Sequence, residues 1–170
     1  MLAKIRAGKR RQERGASVVE FALIAPLFFL LLFAVFDSGI MFWVNLTMQY
    51  AVREGARYAV TGQSNLDPNQ LAQQRYLAVI QEIKNNSLGL YDTLNPVITI
   101  TNYGSDGSSK TTQTYDPKNP SSTIFGGPGD IVVLQLDNCT WSNLTVLAPF
   151  FPNRKYQFNV AATMRNEAFP

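Results

Sequence analysis

No histidine occurs in the 170 residues, and cysteine occurs once, as Cys139. The first absence removes Ser-His-Asp and Cys-His nucleophile pairs, and imidazole metal ligands with them. The second leaves no intrachain disulfide and no thiolate cluster for zinc. Cys139 then reads either as a small buried hydrophobe or as a thiol pairing between chains. Charged residues are also few, at 16% of the chain, and no paired-carboxylate motif stands out. Asp130 and Asp137 lie on one predicted strand, roughly 23 Å apart if extended, too far to share a proton or a metal. These absences argue against an enzyme, and no cofactor or metal is expected.

A formal net charge of +3 is misleading as a property of the whole chain. Residues 1–15 hold six basic side chains (Lys4, Arg6, Lys9, Arg10, Arg11, Arg14) and one acid, Glu13. The rest of the chain keeps nine of the fifteen basic residues and eleven of the twelve acidic ones, a net of −2. That body offers no charge case for nucleic acid. A basic run by itself also suits nuclear targeting, but this one stands directly before an apolar run and so reads as a topological signal.

What the chain has in abundance is that apolar run. From Ala16 to Val44 only Ser17, Glu20, Pro26, Asp37, Ser38 and Gly39 interrupt it. As a helix it extends roughly 43 Å, more than the ~30 Å of a hydrocarbon core. The positive-inside rule places residues 1–15 in the cytoplasm and the body outside, with Phe42 and Trp43 as interfacial aromatics. Asp37-Ser38-Gly39 marks the far edge of the apolar zone. Pro26, with no amide hydrogen, loosens the helix at the Ala22 carbonyl, as a tolerated membrane proline or as a hinge.

Three readings fit this segment. A cleavable secretory signal has the right basic flank, but no convincing A-x-A site follows the apolar run. A permanent anchor fits length and charge but leaves Glu20 unexplained. A type IV prepilin-like signal is cut before the apolar helix, so that Gly15 ends the leader, Ala16 becomes the N-terminus and Glu20 is the fifth mature residue. A carboxylate deep in a bilayer costs about 2.5–3.5 kcal/mol and needs a partner or a function. The new α-amine of Ala16, on this chain or a neighbour, is a cation able to neutralise it. Ser17-Val18-Val19-Glu20 also has the S-x-x-E form of a capping box, and that role is compatible with the signal.

The helix is expected to continue through residues 45–61, where Met48, Ala51, Val52, Gly55 and Ala59 make a narrow stripe of mostly small side chains. Glu54 and Arg57 form an i,i+3 pair off the stripe, and Gly62 suits a helix terminator. A second helix is predicted from Asp67 as N-cap and Pro68 at its first position, with Leu71, Tyr76, Val79, Ile80 and Ile83 as its apolar face, ending at Asn85, Asn86 and Gly89. Beyond Pro96 the period changes to two. Strands are predicted at Val97–Asn102 and Lys110–Tyr115 as a hairpin, then at Asp130–Asn138 and from Tyr156 to Arg165. The Gly126-Gly127-Pro128-Gly129 cluster reads as a loop, since no GK[ST] follows it. Trp141, Leu144, Leu147, Phe150 and Phe151 make an apolar connection that either packs back on the domain or meets a partner. The fold class is α+β and pilin-like: a long N-terminal helix, half membrane and half amphipathic, a second helix, then a roughly four-stranded antiparallel sheet. The expected division is a leader at 1–15, a transmembrane and assembly helix at 16–44, and an extracytoplasmic domain at 45–170.

The run from Arg14 through Gly15, Ala16, Ser17, Val18, Val19, Glu20 and Phe21 to Pro26, followed by Asp37-x-Gly39 and by Ala51-Val52-Arg53-Glu54-Gly55-Ala56-Arg57-Tyr58-Ala59, resembles the TadE-like proteins of the Tad (Flp) pilus system, a branch of the type IV pilin superfamily. Arg165-Asn166-Glu167 adds a weaker match at the C-terminus. The resemblance implies cleavage after Gly15 by a membrane prepilin peptidase, Glu20 as the assembly carboxylate and Phe21 as its usual follower. It also implies a role as minor pilin or pseudopilin in building an adhesive pilus; Pro26, Gly55 and Ala59 are assembly and packing candidates from the helix pattern itself. Small Flp pilins carry tyrosine in place of Phe21 and have no large globular domain, so a major subunit is not expected. The expected partners are the inner membrane, the prepilin peptidase and other pilins of the same pilus, with no nucleic acid. The expected location is single-pass in the inner membrane, with the domain periplasmic or extracellular, including on a surface pilus. The alternative is an uncleaved, membrane-anchored binding module resembling an adhesin.

Overall fold

The computed structural model describes residues 3–69, 74–116 and 123–168, with side chains from Ser17 onward. One helix, α1, runs from Ala3 to Val60 without interruption, carrying Pro26 inside it. The apolar run favours a helix through Phe36, and the absence of proline from there to Val60 lets it continue. It ends where Gly62, at φ 68°, donates its N–H back to the Ala59 carbonyl, the terminator geometry a glycine makes easy.

Within α1 the character changes along the length. From Val18 to Phe36 every large apolar side chain but Leu32 is exposed. From Val44 onward Met48, Ala51, Val52, Ala56 and Ala59 are buried together with Gly55. The predicted stripe is therefore the face on which the domain is built. Glu54 and Arg57 lie off it, 4.0 Å apart, an exposed pair worth a few tenths of a kcal/mol.

Helix α2 spans Arg75–Asn86 and buries Tyr76, Val79, Ile80 and Ile83 against α1. It begins later than the Asp67-Pro68 pair suggests, and its N-cap is Gln74. Asp67 is instead buried in the preceding turn, where its carboxylate accepts the N–H groups of Asn69 at 2.8 Å and Gln74 at 2.6 Å. Leu71 lies outside the described residues. A five-residue helix, α3 (Leu90–Leu94), follows Gly89 and adds Leu90 and Leu94 to the core.

The four strands are β1 (Val97–Asn102), β2 (Thr111–Thr114), β3 (Ile131–Trp141) and β4 (Tyr156–Arg165). They form one antiparallel sheet in the order β2-β1-β3-β4. Ile98 and Ile100, then Val132, Leu134 and Leu136, then Phe158, Val160 and Met164 are its buried face. Each such side chain, fully buried, contributes about 1.5–3 kcal/mol. The other face of β4 shows Gln157, Asn159, Thr163 and Arg165 to solvent. Strand β3 runs past its expected end through an irregularity between Leu136 and Cys139, where Asn138 takes φ 57°. Trp141 is consequently a strand residue facing Tyr156 rather than part of a loop.

β4 is laid along α1 in the same direction. At its start the Asn45 amide donates to the Tyr156 hydroxyl at 3.4 Å. At its end the Glu167 N–H meets the Val60 carbonyl at 3.1 Å. A second tie at that end centres on Arg75, whose guanidinium donates to the carbonyls of Ala59 and Gly126 and to Asn166 Oδ1. The sheet is thus fixed to α1 at both ends, and one end faces the free apolar half of the helix.

Candidate functional site: two carboxylates on one helix

The free half of α1 begins at a carboxylate and ends at another. Glu20 is exposed, and no hydrogen bond or ion pair reaches it among the described residues. Its helix continues unbroken on the N-terminal side, so in the uncut chain Ser17 is an interior helix residue and not an N-cap. The capping-box role would therefore require a new helix start. Gly15 and Ala16 lie in the helical backbone just ahead of the first described side chain, Ser17. Phe21 is exposed beside Glu20, and Pro26 sits on the same exposed stretch.

Asp37 is the opposite case. Only 3% exposed, it accepts the Thr145 N–H at 3.0 Å, the Thr145 hydroxyl at 2.8 Å and the Leu147 N–H at 2.9 Å. The three donors arrive from a loop more than a hundred residues away in sequence. A carboxylate holding several charge-assisted bonds is a strong local fastener. The expectation that Asp37 only marks the apolar boundary is therefore too weak: it clasps the 142–155 loop to the helix. Next to it Ser38 returns its hydroxyl to the Ala34 carbonyl at 2.8 Å, which keeps that polar group satisfied inside an apolar helix.

The clasp holds most of the apolar connection against the domain. Trp141, Leu144, Leu147 and Phe151 are half-buried, and Phe151 meets Tyr156 edge-on at 5.7 Å while Tyr156 stacks on Phe158 at 5.2 Å. The loop packs back on the domain. Phe150 alone of the five is left out, 80% exposed, on a short 3-10 turn at Ala148–Phe150. A second such turn follows at Pro152–Arg154, with Asn153 and Arg154 both at positive φ.

Gly55 and Ala59 belong to the interior. A Cβ on Gly55 would come within 2.3 Å of Ile83 Cγ1, so this glycine sets the closeness of α1 and α2. Both residues serve packing within the chain. The Gly126–Gly129 loop also works internally: the Gly127 N–H and the Asn102 amide both donate to Asp130. A Cβ on Gly126, at φ 66°, would strike Asn102 and Asp130. The cleft of about 530 Å³ beside this loop is lined by Arg75, Asn102 and Asp130, groups engaged with one another or with backbone carbonyls. No group of three His, Cys, Asp or Glu side chains gathers among the described residues.

A long helix, free and apolar over its first half and packed on an antiparallel sheet over its second, defines a pilin-like α+β protein whose N-terminal segment fits a membrane anchor. Residues 15–57 match the family model described as TadE-like protein, so the stretch holding Gly15, Glu20, Asp37 and Gly55 is the TadE-like part of the chain and points to a Tad pilus-associated protein. No curated protein and no solved structure matches the chain.

Proposed function

We propose that the chain is a minor pilin or pseudopilin of a Tad/Flp-type pilus, cut between Gly15 and Ala16 by a prepilin peptidase and packed through α1 against other pilins. The observation that carries this reading is the pairing of Glu20, which has no partner among the described residues, with an almost entirely exposed apolar helix half. The domain does nothing to cover that half. Lipid satisfies its apolar side chains but not the carboxylate, which costs about 2.5–3.5 kcal/mol in a bilayer. Cutting at Gly15 creates a cationic amine one helical turn away, on this chain and on every neighbour. The exposed apolar face also extends past Asp37 through Ile40, Phe42, Trp43, Leu46 and Tyr50, farther than a membrane requires and suited to contact between subunits.

In this reading the basic leader stays in the cytoplasm, α1 crosses the inner membrane once, and the domain lies in the periplasm or beyond it. The protein has no catalytic role, binds no nucleic acid and needs no cofactor. An uncleaved, anchored binding module is the alternative, and processing separates the two. Protein isolated from a host with its own prepilin peptidase should begin at Ala16 by intact mass or N-terminal sequencing. A chain still starting at Met1, or trimmed beyond Val35, removes the pilin reading. Gly15→Lys should abolish the cut. Glu20→Ala should be processed normally and then fail to enter pili; normal assembly would leave Glu20 as nothing more than a helix-start residue of the mature chain.

A further inference from the structure

We infer that the loop around Phe150 is a lipid-contacting foot, seated on the phosphate-bearing surface of the membrane that α1 crosses. The inference rests on the membrane-anchored reading of α1 and adds a second, independent contact with lipid. Its first support is position. β4 begins beside Asn45 and runs away toward Val60, so the loop preceding it projects back down α1 to Asp37. From Ala16 to Asp37 the helix extends about 32 Å at ~1.5 Å per residue, close to the ~30 Å hydrocarbon thickness. With Ala16 at one boundary, the Asp37 clasp falls at the other, and the loop it holds lies level with the headgroups.

The second support is chemistry. Phe150 is the one large apolar side chain of the loop that the domain leaves uncovered, at 80% exposure, and an apolar ring beside basic side chains is the pairing found in segments that lie in the membrane interface. Arg154 and Lys155 are exposed next to it. The segment 141–155 has no acidic residue. Its +2 charge is opposite in sign to the net −2 of the body, which matches anionic headgroups rather than the chain's own surface. The third support is rigidity. Asn153 and Arg154 hold left-handed backbone that non-glycine residues rarely adopt, in a loop tied down by three bonds to Asp37. A loop with no surface to meet has no need of that strain.

The test uses the full chain reconstituted at low protein-to-lipid ratio in phosphatidylcholine vesicles, with and without phosphatidylglycerol. Phe150→Cys carries an environment-sensitive fluorophore, and lipids spin-labelled at the headgroup act as quenchers. The native Cys139 does not compete for label. It is fully buried, and burial first, then the nearby Asp137 charge, pushes its thiol up to about 11, leaving almost no thiolate at neutral pH. Two reference sites bracket the result: Phe28→Cys inside the apolar helix, and Ser108→Cys on the turn between β1 and β2, at the far end of the sheet. The expected outcome is several-fold stronger headgroup quenching at position 150 than at 108, increased by phosphatidylglycerol and reduced by Arg154→Glu with Lys155→Glu. If position 28 is shielded in lipid while position 150 stays in water, the foot does not exist and the anchor stands. If position 28 is also in water, the anchor reading fails and the foot with it. Shielding at 150 that appears only as protein density rises would identify a second copy as the occupant and overturn the lipid assignment.

Discussion

The two halves of α1 share one backbone geometry and treat their side chains in opposite ways. Between Val18 and Phe36 the helix carries Leu, Phe, Ile and Val and exposes nearly all of them; between Val44 and Ala59 it buries one stripe, built mainly of small residues, and leaves Leu46 and Tyr50 exposed on the other side. Large side chains kept outside provide area for an apolar surrounding or for other helices. Small ones inside let a sheet and α2 approach closely, as at Gly55 beside Ile83. The carboxylates repeat the contrast. Asp37 is enclosed and triply bonded by its own chain, whereas Glu20 has no partner among the described residues. Helical periodicity is the same throughout, so the difference lies in what the rest of the chain reaches. The domain extends down α1 as far as Asp37 and stops.

The most disruptive way to probe that boundary is to remove its fastener. Asp37→Ala leaves the Thr145 N–H, the Thr145 hydroxyl and the Leu147 N–H without their acceptor. Hydrogen bonds to a charged group are worth about 1.5–3 kcal/mol each, but the freed loop regains water, so a net loss of about 3 kcal/mol is expected. Denaturant unfolding of the full chain in micelles, followed by tryptophan fluorescence, measures it. Trypsin should also cut at Arg154 or Lys155 well before the domain unfolds. An unchanged midpoint together with an uncut loop would mean that Asp37 is no more important to the fold than Glu20.

A smaller effect is expected inside the packed half. Gly55→Ala drives a methyl group into Ile83, whose Cγ1 is 2.3 Å from the ideal Cβ position, and overpacking of this kind costs about 1–3 kcal/mol. Pairing it with Ile83→Ala should give less than the sum of the two single losses, because the added methyl then fills part of the space vacated. Strict additivity would show that α1 and α2 are not in the close contact that the stripe of small residues permits.

Much of this boundary was readable from one sequence, for identifiable reasons. The apolar run is long enough to mark a membrane-length helix, the stripe from Met48 to Ala59 repeats at helical period, and β4 alternates without a fault from Tyr156 to Arg165, so each pattern signals its own element. The pattern of β3 ends early in the sequence because Asn138, at positive φ, shifts the register between Leu136 and Cys139 and breaks the period of two. α3 has five residues, too few to show a period. Asp67-Pro68 has the form of a helix start, but the Asp67 carboxylate accepts the N–H groups of Asn69 and Gln74 instead, and Gln74 is the N-cap of α2. The Asp37 clasp and the Arg75 tie to Ala59, Gly126 and Asn166 leave no local pattern because both join positions far apart in sequence. No local spacing marks a partner that far away. A carboxylate alone in an apolar stretch is the one visible sign, and it is equally visible at Glu20, which has no such partner among the described residues.

That ambiguity gives the smallest and sharpest expected effect. Glu20→Ala removes a carboxylate from the same helix, in a similarly apolar stretch, yet no intrachain bond among the described residues is lost with it. Substitutions at exposed positions away from packing or hydrogen-bond networks usually stay within about 0.5 kcal/mol. The unfolding midpoint of Glu20→Ala in micelles should therefore match that of the unsubstituted chain, while that of Asp37→Ala falls. A change in stability as large as that for Asp37 would mean that Glu20 has a partner in the folded chain, and its effect on assembly would then be a consequence of misfolding. With stability unchanged, any assembly defect must arise between chains. In that case the helix divides its two carboxylates by destination, with Asp37 serving the fold and Glu20 the neighbouring subunit.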